Sequence, residues 1–118
     1  MARILIVDDS RLIRNIIRAE LEKAGHTIAG EASSGKEAIS LCAKEKPDII
    51  TLDLTMDDMD GIEVLKTIRA VNGEVRFIII SALRQENLMG AAKMFGAVDY
   101  LTKPFTPEEL CLRVGKAT

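Results

Sequence analysis

The chain has 118 residues, 47% of them apolar, which is enough to build one continuous core and fits a single domain. Its 16 basic and 18 acidic residues are interspersed and leave a formal net charge of −2, so no basic stripe marks nucleic acid or an anionic membrane as a direct partner.

Extended and helical patterns alternate along the chain. Ile4-Leu5-Ile6-Val7 reads as a buried strand that stops in Asp8-Asp9. Ile13, Ile16, Ile17, Leu21 and Ala24 then recur at helical spacing, with Arg11, Arg14, Arg18 and Glu22 on the other face and Gly25 as the stop. Residues 27–32 make a short edge strand, and residues 35–46 a second helix carrying Ala38, Ile39, Leu41 and Cys42, ended by Pro47. Residues 48–53 form the third strand and finish in Asp53. A loop through Asp60 leads to a third helix with Ile62, Val64, Leu65 and Ile68 on its apolar stripe, closed by Asn72-Gly73. The fourth strand spans 75–80, the fourth helix 86–95, the fifth strand 98–101 and the last helix 107–116.

Gly90 weakens the fourth helix by about 1 kcal/mol relative to alanine, which marks either a mobile element or a point of close packing. Leu83, Met89 and Met94 around this helix are expected to pack as ordinary core residues. Cys42 and Cys111 lack metal-ligand spacing and sit in helical patterns, so they are expected to be buried free thiols. His26, after Gly25 in a turn, is read as a solvated loop residue without a role. The N-terminal apolar run is too short for a signal peptide or a membrane span, and a reducing cytoplasm fits best.

A helix after each strand makes a parallel sheet covered on both faces, through right-handed crossovers. The strand ends then gather Asp8, Asp9, Asp53, Ser81 and Lys103 at the edge where open α/β sheets bind ligands. Two ionised carboxylates about 5 Å apart repel by roughly 3 kcal/mol at an effective dielectric near 20, so the three aspartates require cations. Lys103 supplies one charge, and a hard divalent ion such as magnesium, which favours oxygen ligands and completes its shell with phosphate oxygens, supplies two. That set points to phosphoryl chemistry, with Asp53 as a carboxylate nucleophile and Ser81 and Lys103 as partners for the transferred charge.

Ile-Val-Asp-Asp-Ser at 6–10, Asp53 with Met-Asp-Gly at 59–61, Ser81-Ala82, Gly96-Ala97 and Lys103-Pro104-Phe105 together resemble a response-regulator receiver domain over the whole chain. The resemblance implies a flavodoxin-like doubly wound (βα)5 fold whose parallel five-stranded sheet has the order 2-1-3-4-5. It implies Asp53 as phosphoacceptor, Asp8 and Asp9 as the metal-binding pair for Mg2+ with Asp53 and the backbone carbonyl of Thr55, Ser81 and Lys103 as phosphoryl-binding groups, and a cis Lys103-Pro104 peptide. Ser81 and Tyr100 are then the switch residues. The implied partners are a histidine kinase or phosphotransfer protein and a downstream protein target, which meets the face formed by the fourth helix, fifth strand and fifth helix.

One departure stands out: the proline usual four positions after the acceptor is Asp57, and Asp57 and Asp58 are expected to face solvent and do little. With no output domain in the sequence, a stand-alone chemotaxis-type regulator is expected, as a monomer or a phosphorylation-dependent dimer. The runner-up is a receiver of a dimerising transcription factor, for which Asp99 and Arg113 supply part of an ion-pair set. A phosphohydrolase with an aspartyl-phosphate intermediate fits less well, because Thr55 stands where such enzymes of the haloacid dehalogenase type carry a second aspartate. A flavin-binding module needs a phosphate cradle where this chain has Asp-Asp-Ser.

Overall fold

The computed structural model describes residues 1–83 and 85–118. Strands and helices alternate as β1 (Arg3–Val7), α1 (Arg11–Lys23), β2 (Thr27–Ala32), α2 (Gly35–Glu45), β3 (Ile49–Leu52), α3 (Gly61–Val71), β4 (Arg76–Ser81), α4 (Glu86–Met94), β5 (Ala97–Thr102) and α5 (Pro107–Ala117). The strands pair in parallel in the order β2-β1-β3-β4-β5. This is the expected flavodoxin-like architecture.

Strand alternation sends successive side chains to opposite faces, and each face has its own core. Leu5, Val7, Ile50, Leu52, Phe77 and Ile79 pack beneath α2, α3 and α4. Ile4, Ile6, Ile49, Ile78 and Ile80 pack beneath α1 and α5 through Ile17, Leu21, Leu110 and Val114. Apart from Thr51 in β3, the interiors of the central strands are therefore apolar on both sides, which is why they appear as nearly uninterrupted runs in the sequence.

Side-chain caps fix the helix starts. Ser10, Ser34, Asp60 and Thr106 each accept a backbone N–H from the first turn, and Thr106 and Glu109 complete a reciprocal capping box. Helix α4 has Gln85 at its N-cap position, and the Gln85 side chain makes no capping hydrogen bond. Gly61 allows α3 to lie against the preceding loop, since a Cβ there would meet Leu54 Cα at 2.4 Å.

Several details differ from the expectations. β3 begins at Ile49, with Asp48 turned to accept the Arg3 N–H at 2.9 Å. Helix α2 ends because Lys46 adopts the left-handed conformation (φ 48°), one residue before Pro47. β5 gains a residue at each end, where Ala97 pairs with Phe77 and Thr102 with Ser81. Among the described residues, nothing lies within 4 Å of where a Cβ on Gly90 would stand, which removes close packing as its reason. Met94 is 83% exposed and Met89 is also exposed, so neither is an ordinary core residue; Leu83 is half-buried. Ile16 stands partly out of the α1 interface. Cys42 is buried but Cys111 only half-buried. His26 is half-buried and its Nδ1 accepts the Ala2 N–H at 3.2 Å, a structural task that the sequence reading did not assign. Among the described residues no helix is long and apolar enough to cross a membrane.

Candidate functional site

The sheet ladder runs one residue beyond β1 and β3. The Asp8 N–H donates to Ala32 O and the Asp53 N–H to Val7 O, each at 3.0 Å, so both aspartates are held at the C-terminal edge by backbone bonds. They are only 1% and 3% exposed, whereas Asp9 projects into solvent. One carboxylate oxygen from each of the three lies within 4.8 Å of the others.

Lys103 closes the cluster. Its Nζ donates to Asp8 Oδ2 at 2.7 Å and to Asp53 Oδ2 at 3.0 Å, and its backbone N–H bonds Ser81 O at 2.9 Å. The Lys103-Pro104 peptide is cis, as expected. Burial is the largest single influence on the Lys103 ammonium and lowers its pKa, but the bonds to and charges of Asp8 and Asp53 together raise it above 10.5. The Asp9 carboxyl is raised above 3.8, by partial burial first and then by the charges of Asp8, Asp53 and Asp57.

The other oxygens of the buried pair are held locally. Asp53 Oδ1 accepts the Thr55 N–H at 3.0 Å and the Thr55 hydroxyl at 2.8 Å, and Asp8 Oδ1 accepts the Ser10 N–H at 2.9 Å. Three carboxylates facing one ammonium leave a formal excess of two negative charges, and carboxylate oxygens are the ligands a hard divalent cation takes. The residues present therefore fit magnesium.

Ser81 ends β4 fully buried, with its Oγ accepting the Leu83 N–H at 3.2 Å. Tyr100 donates its phenol to Leu83 O at 2.8 Å. Burial chiefly raises the phenol's pKa above 10, Ser81 opposes the shift and the Asp53 charge adds to it. Asp8, Asp9, Asp53 and Lys103 thus meet directly, Thr55 is tied to Asp53, and Ser81 and Tyr100 join through the loop after β4.

Two participants were missed in the sequence. Arg14, assigned to the polar face of α1, donates from Nη1 to the backbone carbonyl of Asp8 at 2.7 Å. Asp58 does not merely face solvent: its carboxylate accepts the N–H groups of Gly35 at 2.8 Å and Lys36 at 3.1 Å, joining the loop after β3 to the start of α2. Asp57 is exposed, as expected, yet its charge reaches Asp9. Glu31, a charge within an edge strand, was the available signal for Arg14; no local pattern marked Asp58.

A doubly wound parallel sheet with an acidic, lysine-closed pocket at its C-terminal edge defines a class of α/β domain suited to binding a metal and an anion together. The model of the response regulator receiver domain matches residues 4–115, and the chain belongs to that family, whose members are phosphoacceptor switches of two-component systems that bind Mg2+ at an acidic pocket. The chain is 37% identical to the chemotaxis protein CheY of Thermotoga maritima over 116 residues, covering 98% of this chain and 97% of that one. It is 37% identical to CheY of Bacillus subtilis over 114 residues, covering 97% and 95%. Among solved structures it resembles the CheX–CheY–BeF3–Mg2+ complex of Borrelia burgdorferi, with a TM-score of 0.93, 34% identity and coverage of 97% of this chain and 87% of that chain.

Proposed function

We propose that the chain accepts a phosphoryl group on Asp53 from a phosphohistidine of a histidine kinase or phosphotransfer protein, and that this changes the face formed by α4, β5 and α5 to control a downstream protein. The observation that carries this is the buried Asp53 carboxylate, hydrogen-bonded to Lys103 and within reach of Asp8 and Asp9. Bound by Asp8, Asp9, Asp53 and the Thr55 carbonyl, Mg2+ supplies charge that offsets the carboxylates and the incoming phosphoryl oxygens. An Asp53 oxygen attacks phosphorus as the P–N bond breaks, with its electron pair passing to the imidazole. The resulting acyl phosphate is neutralised by Lys103, whose ammonium has a third donor beyond its two aspartates.

Ser81 turns its hydroxyl from the Leu83 N–H to a phosphoryl oxygen. The loop after β4 then shifts, releasing the Tyr100 phenol from the Leu83 carbonyl and repacking β5 beside α4. A coupling of about 1–3 kcal/mol is enough for such a switch. Hydrolysis of the acyl phosphate, assisted by the same site, resets it.

A single-domain regulator of the chemotaxis type, working in the cytoplasm, is the favoured setting, supported by the similarity to the two chemotaxis proteins over nearly their whole lengths. The second setting, a phosphorylation-dependent dimer of a transcription factor, needs Asp99 and Arg113 for contacts between chains. Here Arg113 Nη1 bonds Asp99 Oδ1 at 2.7 Å within one chain, which weighs against it; dimerisation on phosphorylation in sedimentation would restore it.

The test is intact mass after incubation with acetyl phosphate and Mg2+. A Mg2+-dependent gain of one phosphoryl group is expected in the parent and none in Asp53→Asn. No gain in the parent, or a gain that persists in the variant, overturns the assignment.

A further inference from the structure

We propose that Arg14 is a positioning residue that holds the Asp8–Asp9 peptide in the orientation needed for cation binding, a role that rests on the assignment of Asp8 and Asp9 to Mg2+. Its side chain is mostly buried and spans two partners: Nη1 donates to Asp8 O at 2.7 Å and Nε to Glu31 Oε1 at 3.1 Å. Glu31 is in turn held at its other oxygen by Arg18 Nε at 2.6 Å. The guanidinium is thereby fixed from β2 and α1 before it meets the loop.

The tether matters because of how the two aspartates are held. Asp8 is fixed at its N–H by Ala32 O and at its carboxylate by Ser10 and Lys103. Among the described residues, no other residue hydrogen-bonds or ion-pairs the Asp9 carboxylate, which has only its own backbone N–H beside it, so its place is set by its backbone. The Asp8 carbonyl belongs to the peptide that carries the Asp9 N–H, and the two move as one plane. By fixing that carbonyl, Arg14 fixes the direction in which Asp9 leaves the loop. A planar guanidinium can serve the carbonyl and Glu31 at once, whereas a lysine ammonium is a point donor on a flexible stem.

Charge and positioning predict opposite signs. Arg14 is a cation near an acidic site, so if its charge were all that mattered, deleting it would tighten Mg2+ binding. If positioning dominates, deletion weakens binding, because groups that orient metal ligands commonly contribute about 10-fold or more in affinity.

The experiment is calorimetric Mg2+ titration of the full chain, of Arg14→Ala and Arg14→Lys, and of Arg18→Ala, which removes a Glu31 partner without touching Asp8. Each protein's thermal unfolding is recorded in chelator. We expect Arg14→Ala and Arg14→Lys each to weaken Mg2+ by about 10-fold and Arg18→Ala to stay within about twofold even if it lowers the unfolding midpoint. Arg14→Lys keeps the charge, so the proposal stands or falls on it if the alanine variant does not fold. Unchanged or tighter binding in Arg14→Lys overturns the proposal while leaving the Mg2+ site intact. A parent protein that binds no Mg2+ overturns the site assignment and the proposal with it.

Discussion

The ammonium of Lys103 stands 2.7 Å from Asp8 Oδ2 across 95 positions of sequence, and the same nitrogen bonds Asp53. One partly exposed cation thus serves two carboxylates that the sheet has removed from water. Lys103→Met should leave both buried without their partner and destabilise the metal-free protein by about 3 kcal/mol, the lower end of the range for breaking a buried pair. Saturation with Mg2+ at 100 times its dissociation constant should recover about 2.7 kcal/mol in the variant. Urea unfolding in chelator and in Mg2+ measures both; a loss under about 1 kcal/mol in chelator would show that the pair is not the chief support of the two aspartates.

Glu31 links stability to pH away from the acidic pocket. Burial is the largest influence on its carboxyl and raises the pKa, but the bonds and charges of Arg18 and Arg14 outweigh it and hold the group below 4.5. With the folded pKa depressed, the unfolded chain binds the proton more readily, so this contribution is complete above 4.5 and is lost as pH falls through the folded value. Chemical unfolding between neutral pH and pH 3 should therefore show a smaller loss of stability in Glu31→Gln than in the parent. Parallel curves would mean that the Arg14–Glu31–Arg18 bonds do not discriminate between the charged and neutral acid.

Two glycines separate a backbone requirement from a helix defect. Gly61→Ala would place a methyl 2.4 Å from Leu54 Cα, in the loop that carries Thr55, and should cost about 1–3 kcal/mol. Gly90→Ala meets nothing within 4 Å among the described residues and should stabilise α4 by about 1 kcal/mol. Hydrogen exchange should then slow across α4, whose only fully buried residue is Ala92. If phosphorylation moves this helix, the stiffened variant should also respond less at the α4 surface. Equal exchange rates in parent and variant would show that Gly90 does not limit the stability of α4.

The fold was legible because β1, β3 and β4 are buried on both faces and nearly all apolar, Thr51 being the exception within β3, which leaves the charges after β1 and β3 conspicuous. Asp8 and Asp53 could be found for that reason, whereas Lys103, after the half-buried β5, was placed by the parallel topology that gathers the strand ends at one edge. The edges were harder to read: β5 is bulged at Val98, where the register with β4 shifts, and its burial is only partial, so its ends carried little signal. Arg14 and Asp58 were missed because each acts on a backbone group of another segment. Helical periodicity distinguishes Arg14 from the apolar face of α1, but it cannot show that its guanidinium reaches back to Asp8 O. The exposed Met94 was misjudged for a related reason, since composition gives its size and polarity but not whether a partner element covers it.

Asp58 and Asp57, adjacent and both exposed, should give opposite results. The Asp58 carboxyl lies below 3.8 chiefly because the Gly35 and Lys36 N–H groups bond its ionised form. That bond is complete above 3.8 and weakens as pH falls through the depressed value, so the Gly35 and Lys36 amide resonances should titrate there and stop doing so in Asp58→Ala. Their hydrogen exchange should quicken in the same variant, because two donors in the first turn of α2 lose their acceptor. Asp57→Ala should leave both amides unchanged and instead lower the Asp9 carboxyl toward 3.8, since Asp57 is one of the charges raising it. Carboxyl carbon NMR of the metal-free protein reads that shift. Movement of the Gly35 amide in Asp57→Ala, or of neither reporter in either variant, would contradict this division between an anchor for the loop and a remote charge.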